Sequence, residues 1–165
     1  VKTMNTTQID AEQRRRSARV LSQADHAELA ELWRAWPDPP AVEHARAPEA
    51  GLVMVQGRIG GRGARFNLGE ASVSRATVVI RCAEGEFTGT AYVLGNDPEH
   101  AELAAIFEAM LLSPMREDVL RAVITPLENR RAQADEVRDA QARSTVVEFF
   151  TAARENSGGD EEEDE

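Results

Sequence analysis

The chain has 165 residues, 42% of them hydrophobic, and a formal net charge of −10. That length favours one domain, large enough to hold a core without metals or disulfides. No apolar run approaches the roughly 20 residues a membrane-spanning helix needs, and the acidic balance disfavours nucleic acid, which requires clustered cations.

Six of the negative charges fall in the run Asp160 to Glu165, which leaves −4 for everything else. Behind Ser157-Gly158-Gly159 such a run repels itself and stays solvated. The expected layout is a disordered N-terminus (1–9), a folded domain (10–153) and a disordered acidic tail (154–165). Cys82 is the only cysteine, so an internal disulfide is excluded and a reducing cytoplasm is the simplest home. Val1 reads as an alternative start codon taken literally, with Met4 as the expected real beginning.

In chain order, Asp10 to Ser22 reads as a modest helix with Arg14-Arg15-Arg16 on its solvated side. A second helix starts at Asp25, with Glu28 three residues on as in a capping box. Leu29, Leu32, Trp33 and Trp36 make one helical face, and Pro37, Pro39 and Pro40 end it. The tryptophans read as core anchors. The period then changes to 2. Ala41 to Ala45 is a weak strand, Leu52 to Val55 a second, Ala71 to Cys82 a third and Phe87 to Leu94 a fourth. Glycine-bearing turns between them argue for an antiparallel meander.

Beyond Gly95 the chain turns helical. Asp97 is a good cap and Pro98 suits the first helical position. Leu103, Ile106, Phe107, Met110 and Leu111 mark one face. Ser113-Pro114 restarts the pattern for Val119, Leu120, Val123 and Ile124, and Thr125-Pro126 interrupts it. Leu127 to Arg143 is a polar helix whose only β-branched aliphatic is Val137, and Thr145 to Thr151 has the composition of a strand. The fold class is α+β: an antiparallel β-meander packed with N-terminal and C-terminal helices in a single domain.

Few residues suggest chemistry. Gly57 to Gly63 invites a phosphate-cradle reading but fits neither the Walker nor the dinucleotide-binding pattern. A hairpin turn is the plainer reading, although Arg58, Arg62 and Arg65 keep an anion at an interface open. His26, His44 and His100 have no metal-ligand spacing, and no metal site is expected. His100, beside Asp97 and Glu102 near a helix start, fits packing or capping as well as an interface. Glu49, Glu70 and Glu102 are acid–base residue types with nothing in the sequence to make two converge.

Several ordered segments carry a resemblance. Arg46-Ala47-Pro48-Glu49-Ala50-Gly51-Leu52-Val53 continues to Arg58-Ile59-Gly60-Gly61. Then come Phe66-Asn67-Leu68-Gly69-Glu70, Ser74-Arg75-Ala76, Tyr92-Val93-Leu94-Gly95-Asn96-Asp97, His100-Ala101-Glu102 and Phe149-Phe150-Thr151. Together they resemble the PhnG family, most densely from Arg46 to Glu102. Ala50, Gln56, Ser74 and Asn96 depart from the family's usual Thr, Arg, Thr and Arg.

The resemblance implies the G subunit of a carbon–phosphorus lyase core complex, partnered by H, I and J subunits. Such a complex moves methylphosphonate to C1 of the ribose of ATP with release of adenine. ATP is then a substrate of the complex, no cofactor is expected on this chain, and an iron–sulfur cluster is expected on the J subunit. One cysteine agrees with that, since a cluster needs several thiolates. On this reading Arg58, Glu70 and Arg75 are the catalytic candidates. Arg62, Asn67 and His100 are candidates for substrate binding or an interface. A scaffold subunit that contributes no residue to any site is the alternative.

Overall fold

The computed structural model describes residues 10–144. The expected strand at Thr145 to Thr151 and the two expected disordered ends lie outside the described residues. The chain divides into two compact units, Val1–Arg131 and Ala132–Glu165, and the α+β domain lies in the first.

Helix α1 (Ala11–Gln23) begins where the Asp10 carboxylate accepts from the Glu12 N–H. Helix α2 (His26–Arg34) begins where the Asp25 carboxylate accepts from the Ala27 and Glu28 amides. Glu28 itself pairs with Arg130. Trp33 and Trp36 each set an edge against Phe107, with ring centroids 6.2 Å apart in both pairs. They anchor the core, as their spacing suggested.

Three strands follow: β1 (Ala41–Arg58), β2 (Arg65–Cys82) and β3 (Gly85–Leu94). They pair antiparallel in the order β1-β2-β3, the meander expected from sequence. The two strands expected at Ala41 to Ala45 and Leu52 to Val55 are one continuous strand of 18 residues. Pro48, which has no N–H to give, is tolerated because β1 is an edge strand. The pairing slips between His44 and Arg46 and again between Arg46 and Glu49. Strand β2 also starts earlier than expected, at Arg65. The β1–β2 turn is the expected hairpin, with Gly60 at φ 57° and Gly61 at φ 75°, angles that side chains resist.

Helix α3 (Pro98–Leu111) starts at Asp97 with Pro98 in its first turn. Its apolar residues were expected on one face, but Ala101, Ala104, Ala105, Glu108 and Ala109 are buried as well. The reason is position: α3 packs on β2 and β3 and also on α1 and α2. Alanines let the sheet approach closely. The facing residue of β3 is Gly89, where an added Cβ would lie 2.0 Å from the Ala105 carbonyl oxygen.

A short helix α4 (Arg116–Val119) runs through a π-helical turn, Leu120–Ile124, into α5 (Thr125–Ser144). Thr125-Pro126 therefore does not interrupt the helix. Pro126 has no N–H to donate to the preceding turn, and the wider π turn ahead accommodates its ring. From Ala132 onward the described residues are almost wholly exposed, Val137 included.

Candidate functional site

The residues singled out by sequence fall in two places. Five lie along the β1–β2 ribbon, and His100 lies at the start of α3.

On β2, Ser74, Ala76, Val78 and Ile80 are buried beneath α3. Residues on a strand alternate between faces, so Arg75 points to the open side of the sheet. There its Nε donates to Glu49 Oε1 at 2.9 Å, across the strand pair. Glu70 pairs in register with Met54 and lies on the same side of the sheet as Ser74. It makes no ion pair among the described residues. Asn67 accepts from Gln56 Nε2 at 3.1 Å. At the tip, Arg58 donates to the Gly63 carbonyl at 3.1 Å, and Arg62 and Arg65 hold no side-chain partner among the described residues. The ten steps from Arg65 to Arg75 span about 30 Å at ~3.3 Å per residue. The arginines thus line a ribbon and do not converge on one reacting atom within this chain. A depression of about 180 Å³ opens beside Glu49, Gly51, Val73, Arg75 and Tyr92.

The start of α3 is more tightly built, and of it the sequence reading named Asp97, His100 and Glu102 but not their remote partners. Each of the three histidines (His26, His44 and His100) has a contact in the first turns of α3, although nothing in their spacing joins them. The Asp97 carboxylate accepts from the His100 N–H at 2.9 Å, and its other oxygen lies 2.9 Å from His26 Nδ1. Burial works to raise the Asp97 pKa. The His100 amide and the His26 ring outweigh it and hold the carboxyl below the usual 3.8. Buried Ser74 fixes the approach, donating to the Gly95 carbonyl and accepting from the Asp97 N–H at 2.7 Å. The buried His100 ring reaches the Leu21 carbonyl at 2.8 Å and stacks on His26. On the neighbouring strand, His44 Nε2 lies 2.8 Å from Glu102 Oε1. The signal available in the sequence was Asp97-x-x-His100-Ala101-Glu102, three residues whose side chains each find a remote partner. Among the described residues no group of three His, Cys, Asp or Glu is placed to hold a metal ion.

Fold and site together define an α+β domain whose charged residues lie on an extended surface rather than in an enclosed cleft. Comparison with known proteins identifies which. The family described as phosphonate metabolism protein PhnG matches residues 12–155. A relative from Rhizobium meliloti (strain 1021) is 44% identical over 142 residues, which are 86% of this chain and 89% of the relative. It is named alpha-D-ribose 1-methylphosphonate 5-triphosphate synthase subunit PhnG. The chain belongs to the PhnG family.

Proposed function

We propose that this chain is the G subunit of an alpha-D-ribose 1-methylphosphonate 5-triphosphate synthase, acting in the cytoplasm with H, I and J subunits. The observation that carries the reading is the relative's 44% identity across nearly the whole length of both chains. In the reaction a phosphonate oxygen bonds to C1 of the ribose of ATP while the bond from C1 to adenine breaks. Adenine leaves with the electron pair and takes up a proton. ATP enters as a substrate of the complex, and the iron–sulfur chemistry that follows belongs to the J subunit.

Such a displacement depends on holding phosphonate and ribose in line, and positioning can supply several kcal/mol. The ribbon from Arg58 to Arg75 is the part of this chain suited to it, because arginine forks bind phosphonate and phosphate oxygens bidentately and stay charged. A scaffold role is the second reading. It is favoured by the Arg75–Glu49 pair and by the spread of the arginines. The test is adenine release by the reconstituted complex carrying Arg58→Ala, Arg75→Ala or Glu70→Gln, each checked for assembly by gel filtration. A tenfold loss with assembly intact assigns about 1.4 kcal/mol of transition-state stabilisation to this subunit. Wild-type release by all three variants leaves the scaffold reading.

A further inference from the structure

Beyond the pair Val73–Leu94 strand β3 ends, and β1 and β2 continue alone as an arm to the Gly60-Gly61 turn. Both faces of this arm are apolar and wet. Leu52 and Met54 are 64% and 52% exposed on one face, and Val53 and Val55 are 46% and 38% exposed on the other. Ile59, Phe66 and Leu68 extend the apolar surface to the tip. Both outer edges carry unpaired backbone groups among the described residues, which is a template for further association. A two-stranded ribbon is at best marginally stable alone in water, and soluble monomers rarely leave so much contiguous apolar surface bare.

The charge is as unusual as the apolarity. From Leu52 to Ser72 the chain holds Arg58, Arg62 and Arg65 against one acid, Glu70, so the arm carries +2 and the remainder −12, which sum to the net −10. Aliphatic side chains on two faces call for walls on two sides. A flat surface or a lipid headgroup layer covers one, and a nucleic acid covers aliphatic groups poorly.

We propose that this arm inserts into a cleft of another synthase subunit, with apolar walls along both faces and carboxylates facing Arg62 and Arg65. The inference rests on the synthase-subunit reading and names the segment and the chemistry of its partner.

The test uses the full chain with Cys82→Ser, co-expressed with the other core subunits. Met54→Cys and Val55→Cys, on opposite faces, are labelled with a thiol reagent in the free chain and in the complex. The expected result is at least tenfold slower labelling of both positions in the complex. Arg62→Glu with Arg65→Glu is expected to weaken assembly at least tenfold, with a circular dichroism spectrum like that of the parent. Labelling unchanged at either position, or charge reversal without effect on affinity, overturns the cleft while the subunit assignment stands. Protection produced by added RNA, or by raising the concentration of this chain alone, replaces the partner and overturns it too. If the Cys82→Ser parent fails to co-purify with the core subunits, the synthase reading fails and takes this inference with it.

Discussion

Gly89 sits where β3 touches α3, and the contact leaves no room for a methyl group. A Cβ there would meet the Ala105 carbonyl at 2.0 Å and the Ala109 amide at 2.5 Å, both backbone atoms that cannot swing aside. Gly89→Ala is expected to cost at least about 3 kcal/mol, the upper end of overpacking effects, read as a fall in the urea midpoint. A midpoint within error of wild type would show that the strand and helix separate freely. At Asp97 the expectation concerns pH. Its carboxyl titrates below the usual 3.8 in the folded chain. It therefore contributes stability above about pH 4, and loses it as pH falls through the lower folded value. Asp97→Asn keeps an oxygen for the helix cap, so the gap in stability between it and the wild type should widen from pH 3 towards neutrality. Parallel curves for the two proteins across that range would remove Asp97 from the acid response. Phe107, fully buried with both tryptophans on its ring, is the third such position. Phe107→Ala should cost roughly 3–5 kcal/mol in urea unfolding, and a smaller loss would mean that the tryptophans collapse into the gap.

At the scale of elements, α3 and the far part of α5 are opposites. Eleven residues of α3 are buried, whereas Ala132 onward is almost wholly exposed. Local opening follows buried contact. Amide exchange in α3 should therefore track global unfolding, while amides from Ala132 to Arg143 should exchange through openings costing much less. Equal protection in the two segments would contradict the exposure seen here. The elements were largely legible in the sequence because their ends are marked by local chemistry: Asp25, Asp97-Pro98, the glycine turn. What was not legible depends on remote chain. The strand through Arg46 to Gly51 contains Pro48 and no alternation, and only its place at the sheet edge lets it pair. The π-helical turn that carries the chain past Pro126 has no signal in composition. Ala105 and Ala109 are buried against Gly89 of β3 while Phe107 and Glu108 meet Trp33 and Arg14 on the helical side, and periodicity within α3 does not report that two layers cover it. The candidate site was legible only in part. Arg75 was visible as a charge, but its pairing with Glu49 is set by register across 26 positions. The His26–Asp97 pair joins residues 71 apart.

For the molecule as a whole, the ordering of its parts along the chain is simple. Every strand pairs with its neighbour in sequence, through a six-residue connection from Ile59 to Ala64 and a two-residue one at Ala83-Glu84. Helix α3 then lies against the strand that has just preceded it. Closing short loops costs little entropy, and chains rich in such contacts fold fast. Residues 41–111 form a stretch that needs no distant partner for its sheet or for the helix on it. Helices α1 and α2 come first in the chain yet depend on α3, through Arg14 on Glu108, Leu21 on His100 and Trp33 on Phe107. During synthesis they must therefore wait, and the order of assembly runs against the order in which the chain is made.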